Sequence, residues 1–246
     1  VDNEKLLAFA PSFNGQEINA SASRDKLSPL PHNITETARV VKLFKGDVFE
    51  GERASLQNFS RHVQEYGMLH LATHAVFNNH QPEYSYLAFA PDGQERLLFV
   101  KDLYNLELNM DMVTLSACET ALGDLKRGEG FIGLASGFFY AGAKSITSTL
   151  WKVNDASTAS LMGDFYETLA KGHTKGVALQ KAQKLFLKRN ADNARAHPYY
   201  WSGFVLSGNH APLDPKWPWV WIIAPLLLLL VLIGIFGTGK KTNPNR

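Results

Sequence analysis

Between Leu6 and about Ser207 short apolar runs alternate with longer amphipathic stretches, a pattern that predicts strands alternating with helices. The strands are expected at Leu6–Pro11, Asp47–Gly51, Met68–Thr73, Met112–Ala117, Ser145–Leu150 and Trp201–Leu206. Tyr84–Ala90 and Arg96–Val100, separated by a Pro-Asp-Gly turn, predict a hairpin. Helices are expected from near Asn33, over Ala54–Tyr66, and over Gly130–Gly142, Thr158–Lys171 and Lys175–Asn190. Asn33 reads as a helix cap, with Glu36 three residues on in a capping-box arrangement. The segment through Pro29 and Pro31 reads as a loop. Met68–Thr73 is apolar without interruption, the mark of a central strand buried on both faces. Gly133, Gly137 and Ala141 recur at i, i+4 and i+8 and give their helix a bare face that can approach the sheet. Together these elements predict an α/β fold, a mostly parallel sheet covered by helices on both faces.

The pattern changes at Trp217. From there to Gly237 the chain is almost wholly apolar and carries no charge, long enough at about 1.5 Å per residue to cross a hydrocarbon core of about 30 Å. Trp217, Trp219 and Trp221 resemble an interfacial belt at one end, and Lys240, Lys241 and Arg246 follow the other. The expected organisation is a folded domain over 1–208, a linker over 209–216, a transmembrane helix over 217–237 and a short basic tail over 238–246. Lys216 precedes the span and two lysines follow it closely. The positive-inside rule therefore expects a single-pass protein with a cytoplasmic tail and the domain on the non-cytoplasmic side. The opening Val-Asp-Asn-Glu has no initiator Met, which leads us to expect the C-terminal part of a longer protein.

Composition mainly excludes. A net charge of +2 and no basic run in the folded portion argue against nucleic-acid binding. One cysteine cannot form an intramolecular disulfide, and no Cys/His spacing suits zinc. Gly128–Gly130 lacks the Lys-Ser/Thr of a phosphate loop. Asn33-Ile34-Thr35 and Asn58-Phe59-Ser60 match the glycosylation tripeptide, a pattern that also arises by chance.

Reactive side chains stand where two central strands end. Met68–Thr73 runs into His74, and Met112–Ala117 runs into Cys118. In open parallel sheets ligands gather beyond the carboxyl ends of the strands. If the two strands are neighbours, imidazole and thiol emerge at one rim. A thiol of ordinary pKa is only a few per cent ionised at neutral pH, and a nearby imidazole can take its proton. Backbone N–H groups in the turn after each strand can hold a developing oxyanion. On spacing alone, a packing cysteine and a loop histidine remain equally open readings.

The segment His70-Leu71-Ala72-Thr73-His74, followed by Val113-Thr114-Leu115-Ser116-Ala117-Cys118-Glu119-Thr120, resembles the CHAT family of caspase-related peptidases. Gly128-Glu129-Gly130-Phe131-Ile132-Gly133-Leu134-Ala135, Tyr140-Ala141-Gly142-Ala143-Lys144-Ser145, Leu150-Trp151-Lys152-Val153-Asn154-Asp155 and His197-Pro198-Tyr199-Tyr200-Trp201 continue the pattern in family order. The resemblance implies a caspase–haemoglobinase-like three-layer sandwich, with His74 as base and Cys118 as nucleophile. It implies upstream TPR repeats, a regulatory protein partner, and neither metal nor organic cofactor. Many caspase-like enzymes have Gly directly after the catalytic His. Here Ala75 stands there, and its backbone N–H, with that of Cys118, is the expected oxyanion hole. By the same resemblance Ser116, two before the nucleophile, shapes the S1 pocket, and Asp155 accepts a basic P1 residue. Asp155 reads equally well as a helix N-cap, since Ala-Ser-Thr follows it. Glu119 either orients His74 or caps the next loop.

The expected function is a membrane-anchored cysteine endopeptidase, contacting lipid through 217–237 and acting on a protein or peptide through a thioester acyl-enzyme. The alternative is a catalytically silent caspase-like scaffold or signalling module at the membrane. A Cys-dependent transferase is a third reading, for which no acyl-carrier or cofactor signature is present.

Overall fold

Side chains along the central strands alternate between two apolar cores, and this alternation sets the architecture. The computed structural model describes residues 2–213 apart from 14–16, 21–22, 79, 93–95, 117, 120–128 and 152. β1 (Asp2–Ala10) leads to a two-stranded antiparallel hairpin, β2 (Glu17–Ala20) and β3 (Ser23–Lys26), and then to α1 (Asn33–Val41). β4 (Gly46–Glu50), α2 (Leu56–His62) and β5 (Tyr66–Leu71) follow. Next come three short strands, β6 (His74–Val76), β7 (Tyr86–Ala88) and β8 (Leu97–Phe99), and the single turn α3 (Val100–Leu103). The remainder is β9 (Met112–Leu115), β10 (Cys118–Glu119), α4 (Glu129–Tyr140), β11 (Ser145–Thr149), α5 (Asp155–Leu169), α6 (Lys175–Arg189) and β12 (Phe204–Gly208).

The main sheet has six strands in the order β12-β11-β9-β5-β1-β4. Every pairing in it is parallel except β11 with β12. On one face Leu7, Phe9, Leu69, Leu71 and Val113 meet Phe59 of α2, Leu103 of α3 and Phe138 of α4. On the other, Leu6, Ala8, Met68 and Met112 meet Val40 of α1, Phe165 of α5 and Ala182 of α6. The mixed α/β architecture with a mostly parallel sheet therefore agrees with the expectation. The hairpin read around Pro-Asp-Gly is β7–β8, which joins β6 and β10 in a second sheet of order β10-β6-β7-β8.

Two buried polar groups inside this frame, His70 and Lys175, reach partners on other elements. His70, fully buried on β5, has Nε2 3.0 Å from Glu36 Oε1 of α1 and Nδ1 3.1 Å from the Tyr166 hydroxyl of α5. Tyr166 donates to Thr114 Oγ1 of β9 at 2.8 Å, and burial pushes its pKa up, so it stays a protonated donor. Lys175, also buried, donates from Nζ to the carbonyls of Asp111 (2.9 Å) and Asn209 (3.3 Å), tying α6 to the start of β9. Burial lowers its pKa, opposed by the charge of Asp111.

Several expectations need correction. The fold does not include the expected C-terminal transmembrane helix: among the described residues no helix is long and apolar enough to cross a membrane. α5 and α6, each of 15 residues, reach only about 22 Å against the roughly 30 Å needed, and the stretch 217–237 lies outside the described residues. The single-pass localisation, with the domain on the non-cytoplasmic side, falls with that helix.

Asn33 does not cap α1. His32 is the N-cap, and the buried Asn33 side chain donates to the carbonyls of Pro11 (2.9 Å) and Ala72 (3.2 Å), pinning the helix to the ends of β1 and β5. The segment before Pro29, read as a loop, contains the β2–β3 hairpin. The glycines on the small-residue face of α4 make their closest approach to other elements. A Cβ on Gly137 would stand 2.8 Å from Leu103 Cδ1, and one on Gly133 3.0 Å from Pro82 Cβ, so the close approach is to α3 and the turn at Pro82.

Candidate active site

β5 and β9 are adjacent and parallel, pairing Met68 with Met112 and Leu71 with Leu115. Beyond their carboxyl ends the chain does not diverge. The Ser116 N–H donates to the Leu71 carbonyl at 3.0 Å, and β6 and β10 then resume parallel pairing, His74 with Cys118 and Ala75 with Glu119. Each residue is paired with the one 44 positions later (68 with 112, 74 with 118), so the register of the main sheet carries through into the second one. Adjacent strands run about 4.8 Å apart, which sets the backbone spacing of His74 and Cys118.

His74 is 1% exposed. Its Nε2 lies 2.8 Å from the Ser28 carbonyl, and its ring packs on Phe13 with centroids 4.9 Å apart. A carbonyl only accepts, so Nε2 carries the proton, and in the neutral imidazole Nδ1 holds the lone pair. Ala75, buried, lies in a strand paired on both sides, to β10 and to β7. Ser116 is buried in the crossing from β9 to β10.

Asp155 is the first residue of α5 and half-buried. The N-cap is Asn154, whose side chain accepts from the Ser157 N–H at 3.3 Å, so the capping role expected of Asp155 belongs to its neighbour. The Asp155 carboxylate instead accepts the His32 backbone N–H at 2.8 Å. Burial raises its pKa above the usual value, and the nearby Glu36 charge adds to that. The His32 hydrogen bond and the charges of His32 and His74 pull the other way. Beside it, at the end of β11, Trp151 stacks on Tyr199 and donates from Nε1 to the Tyr199 carbonyl at 2.9 Å.

Sequence reasoning missed Ser28, His32 and Phe13. The first two act through backbone atoms, which every residue possesses, so no residue type marks them. The one available signal was the proline pair at 29 and 31, which restricts the backbone between them. Among the described residues no group of three or more His, Cys, Asp or Glu side chains is placed to hold a metal ion.

The family model of the CHAT domain matches residues 2–209. Tetratricopeptide repeat protein 28 of Mus musculus is 32% identical over 124 residues, half of this chain and 5% of that protein. Its Homo sapiens counterpart is 31% identical over the same share. The chain thus spans about one twentieth of the length of these curated relatives. The structure of the Arg-specific cysteine proteinase gingipain R matches with a TM-score of 0.54 at 10% identity, over 86% of this chain and 48% of that one. Separase, in the Saccharomyces cerevisiae separase–securin complex, matches with a TM-score of 0.51 at 12% identity, over 85% of this chain and 12% of that one. At such identities the likeness is one of fold.

Proposed function

The chain belongs to the CHAT domain family, and from that premise we propose that it is a cysteine endopeptidase acting through His74 and Cys118. The observation that carries this reading is the shared rung of His74 and Cys118, with the His74 tautomer held by the Ser28 carbonyl. Nδ1 of His74 takes the thiol proton of Cys118, and the thiolate attacks the scissile peptide carbonyl. The tetrahedral oxyanion is held by the backbone N–H of Cys118; that of Ala75, expected to share the role, lies in the plane of a sheet with a strand on either side. As it collapses, the C–N bond breaks, imidazolium returns its proton to the departing amine, and a thioester remains on Cys118. Water then gives its proton to His74 and attacks the thioester, and the second collapse releases the carboxylic acid and restores the thiol.

Asp155, set at the same rim and within the electrostatic reach of His74, accepts an Arg or Lys side chain at P1, and Ser116 shapes the neutral wall of that pocket. The substrate is a protein or peptide. The tetratricopeptide relatives support a TPR-repeat setting and control by a protein partner. They also support the second reading, a silent caspase-like interaction module. An acyloxymethyl ketone with Arg at P1, compared with its Asp counterpart, tests both. We expect labelling by the Arg reagent, lost in Cys118→Ala. A protein that never labels would leave the interaction module, and equal labelling by both reagents would remove the P1 role of Asp155.

A further inference from the structure

The segment Ser28-Pro29-Leu30-Pro31-His32 touches the proposed base at one end and the proposed P1 carboxylate at the other. The Ser28 carbonyl accepts from His74 Nε2, and four residues on the His32 N–H donates to Asp155, both at 2.8 Å. Both ends are anchored. Leu27 is buried in a small core with Phe13 and Val76. The His32 carbonyl accepts from the Glu36 N–H (2.9 Å) and the Thr35 hydroxyl (2.8 Å) in the first turn of α1.

Between these anchors the chain has little freedom. Proline locks its own φ and pushes the preceding residue to extended geometry, so Ser28, Pro29, Leu30 and Pro31 are restricted in succession. Both prolines are exposed, so their contribution here is conformational and not one of packing. The segment lies outside any helix or strand from Ser28 to Leu30 and then turns over Pro31 and His32, where the Asn33 N–H donates to the Leu30 carbonyl at 3.4 Å and closes the strap onto α1.

We propose that Ser28–His32 is a proline-stiffened strap that positions His74 and Asp155 as one unit, so that the setting of the base and the setting of the P1 pocket move together. The strap deepens the peptidase reading and rests on it for its purpose, while its two contacts can be measured without catalysis. Pro29 and Pro31 are positioning residues in this scheme; neither touches substrate.

The test is the double variant Pro29→Ala with Pro31→Ala, with Pro29→Ala alone as the milder form should the double variant fold poorly. Nitrogen-15 spectra of the histidine side chains report the tautomer of His74, assigned with His74→Gln. Carbon-13 spectra of the carboxyl groups report the titration of Asp155. In the parent we expect His74 as a single Nε2–H tautomer. In the double variant we expect a tautomer mixture and an Asp155 midpoint moved upward, because the His32 N–H no longer holds its charge, with the melting temperature within a few degrees of the parent. For a P1-Arg peptide kcat/KM should fall by roughly 10- to 100-fold, the scale of an ångström-level misplacement, with the preference for Arg over Ala narrowing alongside. Spectra unchanged at both ends, or a change at one end alone, would overturn the strap. A parent that never labels at Cys118 would remove the peptidase reading instead, and the two spectra would still judge the strap.

Discussion

His74 and Cys118 occupy the same rung of a parallel strand pair, and that rung continues the register in which Met68 faces Met112 six residues earlier. Their proximity is therefore built by the main sheet. Any change that slips β5 against β9 would separate them, and it would also turn every buried side chain of those strands to the wrong face.

If the two residues act as one unit, their removal is not additive. His74→Ala and Cys118→Ala should each lower turnover of a P1-Arg peptide by at least about a thousandfold, and the double variant should be no worse than the single ones. Steady-state kinetics on the three variants checks this. Effects that multiply would mean the residues work independently.

Asp155 should trade stability for selectivity. Its pKa is raised on folding, so the native state binds a proton more readily than the unfolded chain. The stability this group contributes is present below its unfolded value, near 3.9, and is lost as pH rises through the higher native value. At pH 7 Asp155→Asn is therefore expected to melt at the same temperature as the parent or higher, with the gap closing toward pH 4. The variant should cleave Arg and Ala at P1 alike. In the parent, the preference for a basic P1 should fade with acidification at a pH above the ordinary aspartate range. Thermal melts and a pH series of kcat/KM with paired peptides read both effects.

Tyr166→Phe isolates the buried polar network from the chemistry. The loss of one hydroxyl leaves Thr114 Oγ1 without its donor and His70 Nδ1 without its acceptor. Stranding buried polar groups costs about 1–3 kcal/mol. For a domain of this size that lowers the melting temperature by roughly 2–4 °C per kcal/mol. Labelling of Cys118 at 25 °C should be unchanged, because the network joins α1 and α5 to the main sheet and the proposed chemistry uses none of its groups.

Two glycines with positive φ should respond differently to alanine. Gly142 has φ +108°, and a Cβ there would stand 1.9 Å from the Leu108 carbonyl oxygen. The Leu108 N–H also donates to the Ala141 carbonyl, so relief of the clash breaks the join between the segment leading into β9 and the turn that follows α4. Gly172 has φ +80° and open space around its absent Cβ. Gly172→Ala should cost only backbone strain, about 1 kcal/mol, and Gly142→Ala several times more. Equal shifts in chemical denaturation midpoints would contradict the contact.

Much of this was legible in the chain because burial leaves a periodic trace. The continuous apolar run at Met68–Thr73, the amphipathic stretches that became α5 and α6, and the strand pair that became β7 and β8 each follow from local pattern. The cap readings of Asn33 and Asp155 failed for a shared reason. Both have good cap chemistry at a helix start, and in both cases the adjacent residue takes the cap while the side chain serves a distant backbone group: Pro11 and Ala72 for Asn33, His32 for Asp155.

The order of residues alone determined the α/β class, the central strands, and the two side chains at their ends able to do acid–base and nucleophilic chemistry. Tertiary structure decided the rest: that β5 and β9 are neighbours in one register, that Ser28 sets the His74 tautomer, and that Asp155 is tied to His32, 123 residues away along the chain. Periodicity is a local property of the backbone, whereas hydrogen bonds between backbone atoms far apart in sequence depend on how the chain packs and have no residue-type signature of their own.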